Sequence, residues 1–224
     1  MNDTSRLIEQ LASAAKPVKP IASPLRRTLL WALAAGAVIA ISSATWGSHE
    51  HAMRTLGDPG EGIEWLGSVL TGLFAAYAAF QISVPGRSGS WAWLPVLPLA
   101  LWLSGIGVGC IEDYANMGVA AFGFQSHSGE CARAIVLMSL PLGLVMALMV
   151  RHAGVIRPGP TLMLAALSAA ALSSAGVSLF HNGETSLMSL VWHGGVVALI
   201  SLLSLAAGER LFGWIGYAPK RSLD

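Results

Sequence analysis

Six apolar stretches of about twenty residues recur along this chain, and each is long enough to cross a lipid bilayer. We place them at roughly 28–46, 64–83, 91–110, 131–150, 161–180 and 187–207. A helix rises about 1.5 Å per residue, so about 20 residues cover a hydrocarbon core of about 30 Å. Only 11% of the residues are charged, whereas soluble domains average about 25%. The sequence therefore predicts an all-α, polytopic membrane helical bundle with six transmembrane helices.

Lysine and arginine residues are concentrated on one side of the predicted bundle. Eleven of the thirteen fall on the side of the two termini, and only Arg54 and Arg133 fall on the other. Because loops rich in lysine and arginine stay in the cytoplasm, we expect the N-terminus and the C-terminus to be cytoplasmic. The predicted division is a cytoplasmic N-terminal segment (1–27), a transmembrane domain (28–208) and a cytoplasmic C-terminal tail (209–224).

The N-terminal segment combines a short amphipathic helix with a proline-rich linker. Residues 3–15 are helical in pattern, and their apolar face holds Leu7, Ile8 and Leu11. The linker that follows contains Pro17 and Pro20, and prolines at this spacing favour an extended spacer. A helix this short is marginal in water, so it needs a surface to lie on. That surface is either the lipid interface and the protein's own loops or the groove of a partner protein.

Two cysteines are expected near the outer ends of neighbouring spans, because Cys110 ends the predicted third span and Cys131 begins the fourth. In an oxidising compartment the two thiols could form a disulfide that closes the 111–130 loop. Alternatively, they form a thiol pair that binds a soft metal ion or changes its oxidation state. The residues alone leave both readings open.

Two histidines are expected at the same level of the bundle as the cysteines. His181 ends the predicted fifth span, and His193 lies about two turns into the sixth. A histidine inside a span is usually a packed hydrogen-bonding residue, although ionisable residues in spans also mark functional sites. With Cys110 and Cys131, the two histidines supply the ligand types of a tetrahedral zinc or cadmium site. Acidic residues that could add oxygen ligands are Glu64, Glu112 and Asp113.

Several features argue against an enzyme or a transporter. The sequence contains no HExxH, no CxxC, no nucleophile elbow and no glycine-rich phosphate loop. No acidic or basic residue lies near the middle of a predicted span, where ion carriers usually need one. The net charge of +1 gives no reason to expect direct contact with nucleic acid. We therefore predict a protein that is not an enzyme, and the rival readings are a membrane thiol or quinone oxidoreductase and a small metal transporter.

A series of short motifs along the chain carries a resemblance to a known family. The motifs are KPVKP at 16–20, PLRR at 24–27, SVPGR at 83–87, PLALW at 98–102, GC at 109–110, Cys131, SLP at 139–141, LFH at 179–181 and LVWH at 190–193. Their order and spacing, from about residue 6 to about residue 210, resemble the NrsF family. Its members are bacterial membrane anti-sigma factors, which negatively regulate a sigma-F-type extracytoplasmic-function sigma factor.

The resemblance implies a multi-pass protein of the bacterial inner (plasma) membrane, whose partners are the lipid bilayer and an extracytoplasmic-function sigma factor. The N-terminal segment would sequester the sigma factor through residues that we expect to include Leu7, Ile8, Leu11, Pro17 and Pro20. A paired-cysteine motif would mediate release under heavy-metal or oxidative stress, and it falls here on Cys110 and Cys131. No firm cofactor is implied beyond a possible transient soft metal ion at this pair. The chain departs from the family pattern at 182–184, where a proline and an aspartate are expected.

Overall fold

Nine α-helices lie in the part of the chain that the computed structural model describes, which is residues 3–14, 21–47, 49–123, 129–153, 155–180 and 185–214. They are α1 (Asp3–Ala14), α2 (Pro24–Trp46), α3 (His49–Gly57), α4 (Pro59–Ile82), α5 (Val96–Met117), α6 (Gly129–Val150), α7 (Pro158–Ser178), α8 (Ser186–Ser189) and α9 (Gly195–Trp214). A π-helical turn, Leu190–Gly194, joins α8 to α9. No β-strand occurs within those residues.

Proline and short polar residues determine where the long helices begin. Helix α2 begins at Pro24, and the Ser23 hydroxyl before it accepts a hydrogen bond from the backbone N–H of Arg26 at 3.4 Å. Helix α4 begins at Pro59 after Asp58, whose carboxylate accepts hydrogen bonds from the next free amides. Proline suits a first helical position because its ring fixes φ and the missing N–H would be unpaired there anyway.

Within the described residues, six helical segments are long and apolar enough to cross a membrane. They are Pro24–Trp46, Pro59–Ile82, Gly89–Phe122, Gly129–Val150, Pro158–Ser178 and Ser186–Trp214. The predicted all-α bundle with six transmembrane helices is therefore confirmed. The short helix predicted over 3–15 is also confirmed, as α1. The cytoplasmic placement of both termini and the division at residues 27 and 208 stay predictions.

Two helices extend further than the apolar pattern predicted. Helix α5 continues to Met117, so Cys110 lies inside this helix and does not end it. Helix α9 continues to Trp214, beyond the expected end at 207. Polar residues such as Glu112 and Asp113 interrupt a run of apolar residues. Their backbone N–H and C=O groups can still form the hydrogen bonds of a helix. Hydropathy therefore located these spans correctly and placed their ends too early.

Helix α7 is the centre of the bundle, and 83% of its apolar stretch is buried inside the protein. Helices α2, α4, α6 and α9 all pack on it, while α5 packs on the outer side of α4. Small residues allow the close approach: a Cβ atom added to Gly208 of α9 would lie 2.5 Å from Cα of Gly159 in α7. A buried polar contact adds specificity, because the Trp31 indole donates a hydrogen bond to Ser168 Oγ at 2.8 Å.

The bundle has two ends, which we name by their residues. At the cysteine end, which holds Cys131 at the beginning of α6, the rings of Trp46 and Phe180 lie 6.0 Å apart. At the arginine end, Arg27 at the beginning of α2 meets Phe80 near the end of α4 and Met149 near the end of α6. These contacts show that α2 and α7 begin at the arginine end, whereas α4 and α6 begin at the cysteine end.

Candidate functional site

Cys110 is half-buried on α5, close to the sixth span. It packs against an apolar cluster that includes Trp102, Ile106 and Val197. The preceding Gly109 is in tight contact with α8, since a Cβ atom at this position would lie 2.4 Å from Ser186 Oγ. Gly109 therefore allows the backbone beside Cys110 to approach the beginning of α8.

Cys131 lies in a different apolar cluster. Its side chain is only 1% exposed, and the cluster contains Ile135 and Val177, with Trp192 packed against it. No disulfide joins Cys131 to Cys110 in the structure. The two thiols that the sequence predicted to act as a pair therefore occupy separate environments.

Residues 186–194 separate the two cysteine-bearing helices. This segment, which we call the 186–194 segment, consists of α8 and the π-helical turn. Helix α8 packs on α5, and the π-helical turn packs on α6, whereas α5 and α6 share no extensive contact in the described part of the chain. The 186–194 segment therefore contacts both cysteine-bearing helices.

Hydrogen bonds hold the 186–194 segment to α5 and to α7. The Asp113 carboxylate accepts a hydrogen bond from the backbone N–H of Ser186 at 2.7 Å. Further along, Nδ1 of the buried His193 lies 2.8 Å from Ser174 Oγ in α7. Both contacts involve residues that the sequence had offered as metal ligands. Asp113 and His193 instead use side-chain atoms to position the segment.

The predicted four-ligand metal site is not assembled by the residues that the structure describes. His181 lies outside them, and no group of three or more histidine, cysteine, aspartate or glutamate residues within them is placed to hold a metal ion. The described candidates Cys110, Cys131 and His193 therefore do not gather around one point. A site that includes His181 stays a prediction.

The apolar face of α1 is open to its surroundings. Leu7, Ile8 and Leu11 are 56%, 62% and 64% exposed, so the bundle does not bury the face that the sequence predicted to need a surface. Pro17 and Pro20 of the linker lie outside the described residues. The predicted partner-binding residues of α1 are thus available to a second molecule.

Arg27 was not predicted as a site residue, although it is buried. Arg26 is exposed, but Arg27 is only 5% exposed. The Arg27 guanidinium carbon lies 4.3 Å from the centre of the Phe80 ring, and Nη2 donates a hydrogen bond to the backbone carbonyl of Met149. A signal was present in the sequence, because Arg27 shares a helical face with the apolar Trp31 four residues later.

Comparison with known families agrees with the resemblance in the motifs. The family model described as NrsF, negative regulator of sigma F, matches residues 11–214. No curated protein and no solved structure matches the chain. The match covers all six membrane-spanning helices and both cysteines, and so it concerns the whole bundle. The chain therefore belongs to the NrsF family, whose members are negative regulators of a sigma factor.

Proposed function

We propose that this protein holds an extracytoplasmic-function sigma factor at the bacterial inner membrane through its N-terminal segment. The observation that carries the proposal is the exposed apolar face of α1, formed by Leu7, Ile8 and Leu11. An amphipathic helix outside the bundle is suited to a hydrophobic groove on a partner. Held at the membrane, the sigma factor is kept from RNA polymerase, so the protein represses transcription without catalysis and without contact with DNA.

The size of the α1 face limits what it contributes to affinity. Burying three leucine or isoleucine side chains contributes about 5–9 kcal/mol. Association itself costs at least about 4 kcal/mol, and micromolar binding needs a net free energy of about 8 kcal/mol. The α1 face alone therefore falls short of micromolar affinity. The linker with Pro17 and Pro20 and the loops at the arginine end supply the remaining contacts in this proposal.

The release signal acts at Cys110 and Cys131 in this proposal. A disulfide requires the two Cα atoms to lie within about 7 Å, and a soft metal ion shared by two thiolates requires a similar approach. Because the 186–194 segment lies between the two helices, either event favours an arrangement in which this segment has moved. A tenfold change in sigma-factor affinity needs only about 1.4 kcal/mol of coupling between the two arrangements.

The surroundings of α9 leave room for such a movement. Helix α9 continues directly from the π-helical turn and packs mainly on α7. Apolar grooves flank it, one of about 650 Å³ beside α6 and one of about 460 Å³ beside α5. In this proposal a shift of the 186–194 segment is passed along α9 towards the arginine end.

A paired substitution on α1 tests the proposed binding face. We expect Leu7→Asp with Leu11→Asp to abolish repression, because two carboxylates cannot enter an apolar groove without a large desolvation cost. The tagged protein is purified from its own cells in mild detergent, and sigma-factor peptides are quantified by mass spectrometry. The control Ser5→Asp with Ser13→Asp adds the same charge to α1 outside its apolar face. Equal recovery of sigma factor from the α1-face variant and the wild type would contradict the proposal.

A further inference from the structure

Arg27 is a buried cation near the connection between the N-terminal segment and the bundle. It lies in the first turn of α2, four residues after Ser23. Its Nη2 donates a hydrogen bond to the Met149 carbonyl, and its guanidinium stacks on the Phe80 ring. Its Nη1 is buried and has no hydrogen-bond partner in the described part of the chain. Helices α4 and α6 thus both hold the beginning of α2 through this one side chain.

The carbonyl that Arg27 binds belongs to the C-terminal turn of a transmembrane helix. Met149 is one residue before the end of α6 at Val150, and the last four carbonyls of a helix lack intrahelical donors. This end of the helix also carries a partial negative charge, which favours a nearby cation. Arg27 therefore caps α6, and in doing so it joins the ends of two helices.

The contact is easily lost if α6 moves. Arg27 forms no ion pair with an acidic residue among the described residues, where the ion pairs found are Arg54 with Glu50 and Arg133 with Glu130. Among the described residues the buried guanidinium is therefore held by one hydrogen bond and by stacking on one ring. A shift of an ångström or two at Met149 would break the hydrogen bond. The long arginine side chain would then favour the membrane interface, where water and lipid phosphates are available.

The same helix also carries one of the two cysteines. Cys131 lies at the beginning of α6 and Met149 at its end, 18 residues apart along one helix, which corresponds to about 27 Å. Cys131 and Met149 are thus linked by one helix. Pro141, inside the helix, removes one backbone hydrogen bond and allows bending without dividing the helix.

We infer that Arg27 is a positioning residue that couples the cysteine-bearing helix α6 to the N-terminal segment. While Arg27 caps α6, the beginning of α2 is fixed and the segment before it is presented to the sigma factor. When α6 moves, the cap is lost, the beginning of α2 is released, and affinity for the sigma factor falls. The inference rests on the proposed function for its readout, but the contact between Arg27, Phe80 and Met149 stands on the structure alone.

The test compares Arg27→Met with Arg26→Met, the same change at the exposed neighbouring arginine. Methionine fills a similar volume, and replacing buried charged groups with apolar side chains is often neutral or stabilising. The sigma factor recovered with the wild-type protein is purified and titrated against each variant in detergent. We expect Arg27→Met to melt no lower than the wild type and to bind the sigma factor at least tenfold more weakly, with Arg26→Met close to the wild type. Wild-type affinity in Arg27→Met would overturn the inference.

A second readout does not depend on the sigma factor. Coupling between two sites is reciprocal, so loss of the Arg27 contact should change the exposure of Cys131 at the other end of α6. In a Cys110→Ser background we expect Arg27→Met to change the maleimide labelling rate of Cys131 at least threefold, and an unchanged rate would overturn the inference.

If the methionine variant fails to accumulate, Arg27→Lys replaces it. Lysine keeps the cation but loses the planar stacking on Phe80, so we expect an intermediate effect in both measurements, and wild-type values would overturn the inference.

Failure of the inference and failure of the proposed function give different results. If the wild-type protein recovers no sigma factor from its own cells, the proposed function is wrong, and the labelling comparison still decides whether Arg27 couples to α6. If the wild type recovers the sigma factor and the α1-face variant does not, the proposed function holds. Wild-type binding by Arg27→Met would in that case remove Arg27 alone from the mechanism.

Discussion

At the scale of single residues, the two thiols differ in what can reach them. Cys110 is half-buried near the end of α5, whereas Cys131 is 1% exposed within an apolar cluster. A reagent or metal ion from the surroundings therefore meets Cys110 first. In the proposed mechanism Cys131 becomes reactive only when α6 or the 186–194 segment moves, which makes the response depend on a change of conformation.

A double substitution tests whether these thiols carry the signal. We expect Cys110→Ser with Cys131→Ser to keep repression and to block induction by cadmium or chromate, because a hydroxyl is a poor ligand for soft metals and does not undergo thiol oxidation. Induction is measured with a promoter reporter that the sigma factor controls. The control Met138→Leu removes a sulfur atom from the cluster around Cys131 but leaves both thiols. Normal induction in the serine variant would remove the cysteines from the mechanism.

At the scale of helices, the sequence shows which residues are small but does not show which of them pack against a neighbouring helix. Small residues such as Gly105, Gly107 and Gly109 allow helices to approach each other closely in lipid. In the structure Gly105 lies against the backbone of Glu64 and Gly109 against Ser186, while Gly107 faces open space. The positions i and i+4 share a helical face and i+2 does not, so rotation of the helix decides the outcome, and rotation depends on neighbours distant in sequence.

The 186–194 segment is a second feature that the sequence did not predict. Hydropathy over 187–207 predicted one continuous span, and the structure contains a short α-helix, a π-helical turn and a longer α-helix there. The two helix types differ by one residue in their hydrogen-bond spacing, and apolar composition does not distinguish them. The contacts of Asp113 with Ser186 and of His193 with Ser174 join helices distant in sequence, so they required the structure.

The contact between α7 and α9 gives a prediction at this scale. We expect Gly208→Ala to destabilise the bundle by about 1–3 kcal/mol, because the new Cβ atom would lie 2.5 Å from the backbone of Gly159, where no flexible side chain can move aside. The control Gly213→Ala lies on the same helix and faces open space, so it should be neutral or slightly stabilising. Thermal unfolding in detergent measures both. Equal melting temperatures for the two variants would contradict this packing.

At the scale of the whole molecule, the two ends of the bundle have different chemistry. The described arginines at the arginine end include Arg27, Arg87 and Arg157, and the two cysteines lie towards the opposite end. The sequence predicted this polarity from the distribution of lysine and arginine alone. It could not predict that α6 connects the two ends through Cys131 and the carbonyl bound by Arg27, because that connection depends on which helices are neighbours. In this arrangement one helix, α6, links the cysteine end of the bundle to the arginine end.

The last prediction concerns which end of the bundle faces the cytoplasm. The excess of lysine and arginine near the termini predicts that the arginine end faces the cytoplasm. We therefore expect Glu50→Cys, in a cysteine-free background, to react with a membrane-impermeant maleimide in intact spheroplasts, because Glu50 is exposed at the cysteine end. Ser88→Cys, exposed at the arginine end, should react only after permeabilisation. The reverse labelling pattern would place α1 outside the cell, where no sigma factor could reach it.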